Sequence, residues 1–219
     1  MVETIISISV GFLFGIIASL LAWWFQSHLI VPNIQFSPNI SKIPSVDKKS
    51  GYNYRIKLEN SGKRSIIDIE IMVKLRIKGV VDFPNNWRVN YIPLEEMGIN
   101  YRIPIITRKK EKKSGHIITL DINEVVDFKK LETLERYPDN IKRKAKEKTL
   151  LLEDVLRLGS EANIRIEAFG FDEFSGARKF FKSKFYTIHE IKEGRFHNGL
   201  DIKQLNNQKH LHLWERIFK

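Results

Sequence analysis

The apolar positions of this chain fall into two regimes. Residues 5 to 25 read IISISVGFLFGIIASLLAWWF, with no charge and no proline. At about 1.5 Å per residue, a helix over this stretch is roughly 32 Å long, about the thickness of a bilayer's hydrocarbon core. Trp23 and Trp24 stand at one end, the level at which amphipathic rings favour headgroups. A buried core helix would keep a broader polar stripe than Ser7, Ser9 and Ser19 provide. A cleaved leader would begin with basic residues, whereas Glu3 is the only charged side chain ahead of Gln26. The pattern predicts a retained transmembrane helix within residues 1–29. Inside it, Ser7, Gly11, Gly15 and Ser19 recur at every fourth position. Lipid supplies no hydrophobic force between helices, so a line of small residues that admits close backbone approach predicts helix association and a homo-oligomer.

From residue 30 the period of the pattern becomes two. Pro32, Pro38 and Pro44 punctuate residues 30–50, which read as an extended connector with short edge strands at 33–36 and 39–43. Tyr52, Tyr54, Ile56 and Leu58 then alternate with Asn53, Arg55, Lys57 and Glu59. After the turn residues Asn60-Ser61-Gly62-Lys63, Ile67, Ile69, Ile71, Val73, Leu75 and Ile77 alternate with polar residues. Further strands are expected at 89–93, 101–107, 116–122, 163–171 and 177–186, the last two joined by the compact loop Asp172-Glu173-Phe174-Ser175-Gly176. One buried and one solvated face on many short strands predicts an antiparallel β-sandwich over 51–219. A helical insertion at about 124–159 is expected from two Lys/Glu-rich stretches and TLLLEDVLRLG, with Thr149 near the start of its last helix and Gly159 as its stop. Residues 208–219 form another helix candidate, with Leu211, Trp214, Ile217 and Phe218 near one face.

The stretch YRIKLENSGKRSIIDIEIMVKL resembles the two-strand core of immunoglobulin-like modules, in which an apolar strand ends in Asn-x-Gly before a longer alternating strand. More broadly, one N-terminal membrane helix ahead of a basic, β-rich domain resembles small prokaryotic membrane proteins, some of which are effectors of antiviral systems. FGFDEFSGARKFFKSKFY is similar in character to an uncharacterised member of that group. The resemblance implies an immunoglobulin-like fold and a non-enzymatic effector or sensor that oligomerises and perturbs the membrane. It brings no catalytic residues with it.

Charge narrows the partners. The chain carries 37 Lys and Arg against 26 Asp and Glu, a formal +11, and the part after the apolar run carries one unit more because Glu3 precedes it. Exporting such a domain without a basic segment to hold the start inside is unfavourable, so the soluble part is expected in the cytosol and the helix in the cell's inner membrane. The basic residues cluster. Arg108, Lys109, Lys110, Lys112 and Lys113 lie between two strands; Lys142, Arg143 and Lys144 lie on the insertion; and Arg178, Lys179, Lys182 and Lys184 interleave with Phe180 and Phe181. These are expected to face acidic lipid headgroups, each worth about 1 kcal/mol near an anionic leaflet. Nucleic-acid phosphates, with a phenylalanine stacked on a base, are the less favoured partner, and a protein partner or activating ligand is a further possibility.

Chemistry beyond binding has little to rest on. There is no cysteine, and no GxSxG, HExxH, P-loop or GxGxxG. His210 and His212 are the only close histidines, and on a helix their spacing points them apart. Asp172 and Glu173 read as turn acids. No catalytic residue, cofactor or metal is expected.

Overall fold

The structure, a computed structural model, describes residues 2–28, 30–79, 86–95, 101–108, 115–125, 137–197 and 199–204. The first element, α1 (Val2–His28), contains the expected span: over Ile6–Gln26 its mean hydropathy is 2.1 and none of it is buried against the rest of the chain.

Beyond α1 the protein is mainly β, folded as a sandwich of two sheets. Sheet A is built on β3 (Tyr52–Asn60). Along one edge of β3 lie β1 (Ile34–Phe36) and then β2 (Ile40–Pro44); along the other lies β7 (His116–Leu120). Sheet B is built on β4 (Ile66–Lys78), which pairs along one edge with β5 (Trp87–Ile92) and β6 (Tyr101–Ile106) and along the other with β8 (Glu161–Asp172). The strand β9 (Arg178–Lys182) continues sheet B beyond β8. All these pairings are antiparallel. A short β10 (Ile191–Glu193) adds a parallel strand outside β2, and β11 (Arg195–Phe196) with β12 (Ile202–Lys203) makes a small hairpin. Between β7 and β8 the described insertion holds a 3-10 turn at Ile122–Glu124, α2 (Asp139–Glu147) and α3 (Leu152–Leu156). Most of the first Lys/Glu-rich stretch and the candidate helix at 208–219 lie outside the described residues.

The inward rows meet in one buried cluster. Tyr54, Ile56 and Leu58 of β3 and Ile118 and Leu120 of β7 join Ile69, Ile71, Val73, Leu75 and Ile77 of β4 and Ile164, Ile166 and Ala168 of β8. Leu150, Leu152, Val155 and Leu156 seal the cluster from the insertion. This is the alternation expected of strands with one face inside.

Three local readings are corrected. At the start of β4 it is Ile66, not Ile67, that is buried: a bulge between Ile67 and Glu70 puts Asp68 at φ +48° and reverses the alternation there. In β3, Lys57 and Glu59 are not solvated. They pair with each other at 3.2 Å, with side chains 4% and 5% exposed, and Lys57 Nζ also donates to the Gly199 carbonyl at 2.7 Å. The segment after β10 folds over this end of sheet A. Finally, the start of α3 is held not by Thr149, which bonds back to Lys144, but by Asp154, whose carboxylate accepts the Leu151 N–H at 3.1 Å.

The Asn-x-Gly turn joins the layers. Asn60 is buried; its Oδ1 accepts the N–H groups of Asn33 and Gly62, and its Nδ2 donates to the carbonyls of Arg64 and Ile106. A Cβ on Gly62 would lie 2.4 Å from the Asn33 nitrogen and the Val31 carbonyl oxygen, so only glycine lets the strand entering β1 pass this turn.

Candidate anion-binding face

The outer face of sheet B carries the basic and aromatic residues that the fold brings together. Alternation in β9 turns Arg178, Phe180 and Lys182 to one side, while Phe181 packs toward the core. Opposite them on β8 stand Phe171, Phe169 and Glu167. Phe169 and Phe180 stack across the strands with ring centroids 4.5 Å apart and planes inclined at 19°, a contact worth about 0.5–1.5 kcal/mol beyond its buried area. Arg178 lies over the Phe169 ring at 5.1 Å and Lys182 over the Phe180 ring at 4.5 Å. Farther along, Arg165 lies over Phe185 at 4.7 Å, and Arg76 of β4 lies between Phe185 at 5.1 Å and Trp87 of β5 at 4.4 Å.

These contacts orient the cations without neutralising them, because a ring quadrupole attracts a cation but carries no net charge. Glu167, opposite Lys182, is taken by Lys74, at 2.6 Å. The face thus presents Arg76, Arg165, Arg178 and Lys182 on aromatic supports, and Phe180 remains 44% exposed beside them. At its end, next to the β4 bulge, a cleft of about 210 Å³ is lined by Asp68, Glu70, Arg102, Phe169 and Arg178.

Two tight loops hold β9 in place. Asp172 accepts bonds from the Phe174 N–H at 3.1 Å, Ser175 Oγ at 2.8 Å and Arg64 at 3.3 Å, and Arg64 also covers the Phe174 ring. Burial works to raise the Asp172 carboxyl, but those three donors outweigh it and hold it below the usual aspartate range. On the far side Glu190 accepts from Thr187 Oγ1 and N–H, each at 2.7 Å, and from Lys184 at 3.2 Å, and is lowered in the same way against its burial.

The other predicted clusters fare differently. Lys142 pairs with Asp139 at 2.9 Å and Lys144 with Asp154 at 2.8 Å, which removes much of their charge from α2; Arg143 is exposed there. Lys184 is paired with Glu190, and Lys179 is half-buried. Arg108 is exposed and its backbone bridges to Asn60, far from β9 in sequence. Lys109, Lys110, Lys112 and Lys113 lie outside the described residues, as do His210 and His212. The sequence reading missed Arg76, Arg165, Phe169 and Phe185. For Arg76 the signal was its place in the polar row of β4, but its meeting with Phe185 depends on strand register.

A separate polar contact ties the insertion to sheet A. Glu153 of α3 accepts from Lys42 at 2.6 Å and, in a short bond, from the Tyr54 hydroxyl. Burial, then the neighbouring Glu153, pushes the Tyr54 phenol up; burial alone would raise Glu153, yet the bonds from Lys42 and Tyr54 hold its carboxyl down. This contact positions α3. Among the described residues no three His, Asp or Glu side chains gather as a metal site.

On α1, Ser7, Gly11, Gly15 and Ser19 are all exposed, and a Cβ on either glycine would meet no atom within 4 Å other than its own helical turn. Ser19 Oγ donates to the Gly15 carbonyl at 2.9 Å, so its hydroxyl is satisfied inside the helix. No known protein family matches this sequence, and no curated protein is similar to it.

Proposed function

We propose that the chain is a non-enzymatic, single-pass membrane protein in which α1 anchors a cytosolic β-sandwich at the inner membrane. The outer face of sheet B takes up an anionic partner, and acidic lipid headgroups are the anions a tethered domain meets most often. The observation behind this reading is the pairing of a wholly unburied apolar helix with a basic face whose cations rest on rings rather than carboxylates. On this reading the protein is an effector or sensor of the kind its sequence resembles: engagement of the sandwich gathers copies, the line Ser7, Gly11, Gly15 and Ser19 lets their helices approach, and the assembly perturbs the bilayer. Even polar hydrogen bonds between helices in lipid are worth only about 0.6–2 kcal/mol each, so the sandwich supplies the rest of the association.

The second reading is an adaptor. Among the described residues β9 ends sheet B and pairs only with β8, an edge on which a partner strand can add. Forced clustering of the cytosolic domain, with membrane potential as the readout, separates the two. Depolarisation supports the effector, and unchanged potential supports the adaptor. Binding of the protein to phosphatidylglycerol vesicles, lost with rising salt and absent for phosphatidylcholine alone, supports the lipid partner. Preference for single-stranded nucleic acid would reassign the face.

A further inference from the structure

The sheltered cations of the sandwich mostly end on an acid or a ring: Lys42 on Glu153, Lys57 on Glu59, Arg64 on Asp172, and Arg165 over Phe185. Arg55 does neither. It lies in the middle of β3, in register with Ser41 of β2 and Thr119 of β7, and points out of sheet A on the side away from the core. Its Nε, like that of Arg165, is cut off from solvent without a hydrogen-bond partner among the described residues, but Arg165 has the Phe185 ring beside it. Such a group costs stability unless something completes it.

The space beside it has the shape for that. Arg55, Leu94, Glu95, Tyr101, Ile117 and Thr119 line a cleft of about 240 Å³. The acid in the cleft, Glu95, is already paired with Lys48 at 3.0 Å, so among the described residues Arg55 is the cation there without a counter-charge. The Tyr101 hydroxyl is held by His116 Nε2 at 2.6 Å, which fixes that wall. Ile117 is 43% exposed and offers an apolar surface next to the charge. The neighbouring end of this sheet face, over Lys57, is covered by the segment around Gly199.

We infer that the Arg55 cleft is a binding site for a small organic phosphate, on the opposite sheet from the basic face and independent of the partner that face takes. The guanidinium fork binds two phosphate oxygens, as its planar geometry favours. Thr119 stands beside it in register, and the non-phosphate part of the ligand rests against Ile117.

Calorimetric titration of the full chain in detergent, in a buffer free of phosphate, tests this with ribose 5-phosphate as the probe and ribose as its neutral counterpart. The native chain binds the phosphate and not ribose. Arg55→Gln weakens binding by about tenfold or more, the loss expected of one charge-assisted pair, and does not lower the melting temperature of the unliganded protein, because this guanidinium has no partner among the described residues to lose. Ile117→Glu, which leaves Arg55 in place and adds a negative charge to the wall, weakens binding as well and decides the matter if the Arg55 variant fails to fold. Arg165→Gln, on the other sheet, binds as the native chain does. No binding of ribose 5-phosphate, equal binding of ribose, or native-strength binding by a folded Arg55→Gln or Ile117→Glu variant overturns the proposal.

Discussion

Asp172 is the residue that fixes the start of β9, and its removal has a cost that can be worked from the structure. Its side chain is 1% exposed and accepts three hydrogen bonds, one of them from Arg64. Each such bond contributes about 1 kcal/mol net, and breaking a buried ion pair costs about 3–5 kcal/mol. Arg64 keeps its contact with the Phe174 ring at 4.2 Å and is itself 13% exposed, so it recovers some hydration. Asp172→Ala should therefore cost about 3 kcal/mol, a large part of the 5–15 kcal/mol typical of a domain. Asp172→Asn should cost nearly as much, since an amide N–H in place of a carboxylate oxygen opposes the Arg64 donors. The carboxyl is held below the ordinary aspartate value of about 3.9. A depressed native pKa means that the stability from this group is complete above that value and is lost as pH falls through the lower native one. Urea unfolding of the full chain in detergent, followed by far-UV circular dichroism, measures both effects. The native midpoint should fall below about pH 4, and the Asn variant should lose less over the same interval. Equal midpoints for the Ala variant and the native chain at neutral pH would refute the reasoning.

Leu75 is fully buried in β4, so Leu75→Ala should cost about 2–5 kcal/mol in the same unfolding experiment. Crosslinking in membranes should show ladders for the native chain that fade for the Gly11→Ile, Gly15→Ile double variant, while Phe12→Leu with Ile16→Leu leaves them unchanged. A reporter joined after Lys219 should be active in its cytosolic form only; activity of an exported form would reverse the topology.

The strands were legible in the sequence wherever a single face is buried. Ile69 to Ile77 alternate because one face of β4 packs into the core with the inward rows of β3 and β7 and the other faces outward. The same alternation misled at Ile67, because the left-handed backbone of Asp68 shifts parity by one and nothing about an aspartate announces that. It misled again at Lys57 and Glu59, where the covering chain arrives from around Gly199, more than a hundred residues away. The candidate face was half legible. The run Arg178 to Lys184 showed cations between phenylalanines, but its completion by Arg76, Arg165, Trp87 and Phe185 depends on the pairing of β4 with β5 and β8. Conversely, Lys142 and Lys144 read as free charge on the insertion, and only the fold places Asp154 within reach of Lys144. The Arg55 cleft was not legible at all, since an unpaired arginine differs from a paired one only in what lies opposite.

The central claim is that α1 spans a membrane and is the sandwich's anchor rather than part of its core. Alkaline carbonate washing of membranes containing either the full chain or residues 30–219 tests it directly, because the wash strips peripheral proteins and leaves spanning ones. The full chain should stay in the membrane pellet. The shorter chain should be released, and should remain a folded, strand-dominated domain by circular dichroism, since none of the span is buried against it. Release of the full chain, or a shorter chain that resists the wash or fails to fold, would contradict the account.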